Sequence, residues 1–151
     1  RRIAARLGHR LIPSVPSLFT LSVEAPWITE CSGIALNNVH LQLRVGNKRF
    51  DERGRMLITH WGFSGPLVLK LSAFAARELK QSTYNANLSI NWVNLDFSSA
   101  KDLLQQFRVN ASRATLGSHR PFEKLPKRLW QLILKKAAIN SSLEGASGIE
   151  N

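Results

Sequence analysis

The sequence predicts an α+β fold, a small antiparallel β-barrel-like subdomain followed by a helical one. Three observations carry that expectation. Period-two alternation of apolar residues marks much of the first sixty positions, the period changes to that of a helix at Ser64, and helical patterns fill the stretch beyond Asp96. A chain of 151 residues, 44% of them hydrophobic, encloses one ordinary core. The expected division is a β-rich part over 1–95 with one helix at about 64–80, a helical part over 96–140, and a polar tail over 141–151.

Arg2 to Leu7, with Gly8 behind, reads as the last turns of a helix closed by its C-terminal glycine. A helix that opens in mid-pattern points to a piece of a longer protein. Pro13 and Pro16 then hold the backbone extended ahead of a first strand over Leu18 to Val23. Val39, Leu41, Leu43 and Val45 alternate with polar residues as a half-buried strand does, and Ile34 and Leu36 fall in the opposite phase. Asn37-Asn38 therefore marks a turn or bulge. "VGNKRF" reads as a tight hairpin and "ERGR" as a second turn before a strand at Met56 to His60.

From Ser64, residues Leu67, Val68, Leu71, Phe74 and Ala75 share one face of a helix, with Ser64 as N-cap and Pro66 in the first turn. Tyr84 to Trp92 alternates as a strand. Ser99 and Asp102 resemble a capping box for a helix bearing Leu103, Leu104 and Phe107. After a loop with Gly117 and Pro121, Pro126 opens a last helix with Leu129, Trp130, Ile133 and Leu134 inside.

Composition excludes several classes. No run approaches the ~20 apolar residues of a membrane span, and no apolar signal segment follows the basic N-terminus, so a soluble, cytoplasmic protein is expected. Cys31 is the single cysteine, which rules out an internal disulfide framework, and the sequons at Asn87, Asn110 and Asn140 would matter only in a secreted protein. Histidines 9, 40, 60 and 119 lack metal-ligand spacing, so no metal is expected. The formal net charge is +11, and nine Lys and Arg against two acids between Lys101 and Lys136 place much of it in the helical part. Lys124, Arg128, Gln131 and Lys135 there share a helix face that could meet phosphates, but such stripes are more often solvated, and no nucleic-acid motif accompanies this one.

The stretch "THWGFSGPLVLKL", Thr59 to Leu71, concentrates the chemistry-bearing residues. "GFSGP" approaches the Gly-x-Ser-x-Gly nucleophile elbow, but Pro66 stands where the last glycine belongs and no acid and histidine follow in order. Ser64 then serves as a cap, while Gly62 and Gly65 permit the turn. The helix terminus would suit an anionic or carbonyl group, and His60 is either an acid, base or hydrogen-bond donor, or an inward strand residue satisfied by backbone.

Two segments, "LGHRLIPSVPSLFTL" and "GRMLITHWGFSGPLVLKLS", together with "LPKRL", resemble the aminoacetone-oxidase-like, or BaiN-like, FAD-dependent oxidoreductases, a predicted NAD(P)/FAD-dependent flavoprotein family. Gly8, His9, Pro16, Ser17 and Leu18 match its first motif, and Gly54, Thr59, His60, Gly62, Ser64, Gly65 and Pro66 its second. Arg55 replaces the usual glutamate and Ile58 the usual phenylalanine. The resemblance implies a barrel-plus-helical domain inserted in a Rossmann-type FAD-binding fold of the same polypeptide, with FAD bound by residues outside this chain and no catalysis by the insert alone. It also implies that the turn faces flavin or substrate. His60 and Thr59 are then the catalytic candidates, and Gly62, Ser64, Gly65 and Pro66 the cofactor-side candidates. The alternatives are a basic nucleic-acid-binding module and a purely structural or association domain.

Overall fold

The structure is a computed structural model and describes residues 2–110 and 120–137. Gly117, His119 and the tail over 141–151 lie outside the described residues. The elements run α1 (Arg2–Arg6), β1 (Leu21–Ser22), α2 (Pro26–Thr29), β2 (Ala35–Val45), β3 (Lys48–Ile58), β4 (Gly62–Ser64), α3 (Pro66–Phe74), α4 (Ala76–Gln81), β5 (Asn87–Asn91), α5 (Phe97–Asn110) and α6 (Lys127–Lys136). The strands form one antiparallel sheet in the order β1-β4-β3-β2-β5, curled into a half-barrel with β1 and β5 as its free edges. With the helices this is an α+β fold.

The alternation of β2 is realised: Val39, Leu41, Leu43 and Val45 point into the core, with exposures of 0 to 5%. The register slips at Asn37-Asn38, where Leu36 faces Met56 but Val39 faces Gly54, a bulge that reconciles the two phases of the strand. Gly8 closes α1 as expected. Its N–H donates to Ala5 O and that of His9 to Ala4 O, the paired bonds of a Schellman motif. Ile3, Leu7 and Ile12 around this helix are 65 to 77% exposed.

Several expectations are corrected. "ERGR" is no turn, because β3 runs unbroken through it, and Gly54 sits mid-strand, where a Cβ would meet Leu67 of α3 at 3.6 Å. Pairing along the length of β2 overrides a turn-like composition. The first strand shrinks to Leu21–Ser22, since Leu18 has φ 58°, outside the β region. The strand expected to end at His60 ends at Ile58, and Gly62 to Ser64 is itself a strand, with Ser64 opposite Leu57. Ser64 is consequently not the N-cap of α3. Gly65 holds that position, and no side chain caps the helix. The single helix over 64–80 is two, broken at Ala75 (φ −88°, ψ 4°). On the expected apolar face Leu67, Val68, Leu71 and Ala75 are buried, but Phe74 is exposed, with Lys70 Nζ 5.7 Å above its ring. The strand at Tyr84 to Trp92 narrows to Asn87–Asn91.

Asp96, not a Ser99–Asp102 box, starts α5: Ser99 N–H donates to its Oδ1 (2.9 Å) and Ser99 O–H to its Oδ2 (2.6 Å). The Ser99 hydroxyl, then the Ser99 amide, hold the Asp96 carboxyl below its ordinary value. The stabilisation is therefore present above the unfolded value of ~3.9 and disappears as pH falls through the lower folded value. Helicity over 97–109, followed by residue-resolved NMR, is expected to fall in that acid window. In Asp96→Asn, which titrates no carboxylate there, that acid-dependent change should be absent.

α6 buries Leu129, Trp130, Leu132 and Leu134, whereas Ile133, expected inside, is half-buried. It joins the same hydrophobic cluster as the sheet, α3 and α2, and Lys136 Nζ lies 5.9 Å over the Trp27 ring. Ser72 is the only polar side chain fully buried among the described residues. It accepts from Phe19 N–H (3.0 Å) and donates to Leu69 O (2.9 Å), tying the chain entering β1 to α3.

Candidate functional site

The sequence-predicted site residues form one continuous feature, the connection from β3 through β4 to α3. Thr59 builds its first turn: its N–H donates to Gly62 O (2.8 Å), and its hydroxyl accepts from Gly62 N–H (3.2 Å). Its side chain thus has a structural task. His60 and Trp61 form the tip. His60 is exposed, so the alternative of an inward strand histidine does not hold. Its ring stands edge-on to Trp61, with centroids 4.1 Å apart at 78°, and Trp61 itself is 45% exposed. Val23 N–H donates to Trp61 O (3.1 Å), which fastens the tip to the chain just beyond β1.

Gly62 allows that fastening. It is buried, has φ 155°, and a Cβ there would sit 2.1 Å from Leu21 O. Gly65 has φ 100° and lies against the backbone of β3, where a Cβ would meet Arg55 O, Leu57 N and Met56 Cα, each at 3.2 Å. Ser64 is half-buried in a paired strand, which is not the exposed elbow of a nucleophile. Pro66, the first residue of α3, is exposed. The amides that follow it belong to Leu67 and Val68, which are 2% and 0% exposed, so the opening turn of α3 faces packed protein.

The tip therefore offers two adjacent rings on a pinned turn, one able to donate or accept a hydrogen bond and the other to stack or pack. Sequence reasoning assigns Trp61 no role of its own within this stretch. Its signal was an aromatic beside a histidine where the strand phase ends. Elsewhere, Cys31 is wholly buried, and burial pushes its thiol up despite the opposing field of Arg128, so it is not an activated nucleophile. Among the described residues no three His, Cys, Asp or Glu side chains come together. Lys124, Arg128 and Lys135 are exposed, as is Gln131. No described helix is long and apolar enough to cross a membrane.

Comparison with curated proteins gives no match. A family model does match, that of the HI0933-like protein barrel and H2TH domain, over residues 15–149. Both halves of that description have counterparts here, the curled sheet and the helices that follow it. The match begins after α1, inside the approach to β1. The chain belongs to this family, the insert domain of HI0933/BaiN-like FAD-dependent oxidoreductases, and the family implies association with a FAD-binding domain in the same polypeptide.

Proposed function

We propose that this domain is the substrate-side cap of a FAD-dependent oxidoreductase and presents the Thr59–Pro66 turn to the flavin or to substrate. The observation that carries the reading is the exposure of His60 and Trp61 at the tip of a turn whose backbone is pinned at Thr59, Trp61 and Gly62. A group that must act across a domain boundary needs a rigid support, and this turn has one. Gly62, Ser64 and Gly65 are the support, Thr59 orients the tip, and Pro66 belongs to the presented surface.

The chain's own residues do not fit a FAD site: the amides opening α3 are buried, and no Gly-x-Gly-x-x-Gly segment is present. The cofactor is therefore assigned to the neighbouring domain, where it supplies electron-transfer chemistry. What this chain contributes is an imidazole that hydrogen-bonds a polar atom of substrate or flavin, with Trp61 shielding that contact from water. On its own the domain has no turnover.

His60→Ala in the FAD-loaded polypeptide is expected to lower kcat/KM by about 10²-fold. FAD content and melting temperature should stay unchanged, because the side chain is exposed. Unchanged turnover and flavin reduction would remove the catalytic role of His60. Loss of FAD on deleting the insert, with His60→Ala silent, would leave the domain a purely structural cap.

A further inference from the structure

We propose that the open seam of the half-barrel is a binding site for an uncharged, planar aromatic molecule. The inference does not depend on the role of His60. The sheet order makes β1 and β5 its two free edges, and the alternating antiparallel pairings leave these edges running parallel to each other. Between them lies a cavity of about 630 Å³. Sites for drug-sized ligands span ~300–1,000 Å³. Leu21 and Val23 line it from the β1 side, and Leu88 and Ile90 from β5, all of them half-buried although they point inward. A closed barrel would bury them.

Five aromatic rings reach this cavity, and four of them meet in two pairs, here called clasps. Phe19 and Tyr84, which precede β1 and β5, meet at 5.9 Å and 78°. Phe63 of β4 meets Trp92, just past β5, at 6.1 Å and 62°. Trp27 of α2 is the fifth. The clasps decide between occupants. Inserting a strand would require the two edges to stand about 10 Å apart along their length, twice the ~4.8 Å strand spacing, and the Phe19–Tyr84 contact that joins the starts of the two edges obstructs that. A compact planar molecule held between the clasps meets ring edges and faces, the contacts aromatic groups prefer. The charged side chains on the rim, Glu24 and Arg44, have opposite sign and so favour neither an anion nor a cation.

The test is a fluorescence titration of the 151-residue chain with N-phenyl-1-naphthylamine, an uncharged aromatic probe. Saturable binding of one probe per chain, with energy transfer from tryptophan, is expected. Leu88→Asp should weaken it about tenfold or more, and so should Tyr84→Ala, whose exposed ring keeps the test usable if Leu88→Asp fails to fold. Leu7→Asn, on the exposed face of the N-terminal segment, should leave it unchanged. Three results would overturn the proposal. These are absence of saturation, binding indifferent to both seam variants, or a dimer with protected β5 amides that excludes the probe, which would make the seam a strand-pairing edge.

Discussion

Gly62→Ala is expected to be the most damaging single substitution in the turn, costing about 3–5 kcal/mol. The added methyl would overlap Leu21 O, a backbone atom of the adjacent strand that cannot rotate away, at 2.1 Å, and the φ of 155° is unfavourable for any L side chain. Relief requires β1 to separate from β4, which also releases the Val23–Trp61 bond that fixes the tip. Against a typical total of ~5–15 kcal/mol, that is a large share of the stability. Urea melts of Gly62→Ala and Gly54→Ala side by side check the reasoning. The second adds a methyl 3.6 Å from Leu67, an ordinary contact, and should be neutral or slightly stabilising. Equal loss in both would contradict the role given to Leu21 O.

Leu129→Ala is expected to cost ~2–5 kcal/mol and to destabilise sheet and helices together. Leu129 is fully buried, and α6 shares one apolar cluster with Ile28 and Cys31 near α2 and with the inward face of β2. If that cluster is one cooperative unit, urea transitions followed by far-UV ellipticity and by tryptophan emission should shift by the same amount and remain coincident. Separation of the two curves would mean that α6 melts independently of the half-barrel.

The parts of the fold legible in the sequence were those fixed by local chemistry. The inward face of β2 follows from Val39, Leu41, Leu43 and Val45, the bulge from the phase change at Asn37-Asn38, and the end of α1 from Gly8. The misread parts were those decided by distant partners. "ERGR" has the composition of a turn, but β2 pairs with it on one side and Leu67 packs over Gly54 on the other. Ser64 has the side chain of a cap, yet Leu57 claims it for the sheet and leaves the helix to start from Gly65. Asp96 outcompetes the expected box because its two carboxylate oxygens reach both the amide and the hydroxyl of Ser99.

The candidate site was legible as a location, since Thr59 to Pro66 are contiguous, but not as a division of labour. Sequence makes Gly54 and Gly62 equal members of one motif, whereas only Gly62 stands against another backbone. It likewise gives no sign that His60 is exposed beside Trp61 while the amides behind Pro66 are shut away. Exposure is a property of the assembled sheet and helix, and it is what selects the tip as the group able to reach another domain.

The most direct test of that selection is amide hydrogen exchange at His60 and Trp61 in the complete polypeptide, with and without FAD. If the tip lies against the flavin, loading should slow exchange at these two amides about tenfold or more, while Leu41 and Leu43 in the core keep their rates. Exchange at His60 and Trp61 that is indifferent to FAD would contradict the placement of the tip against the flavin.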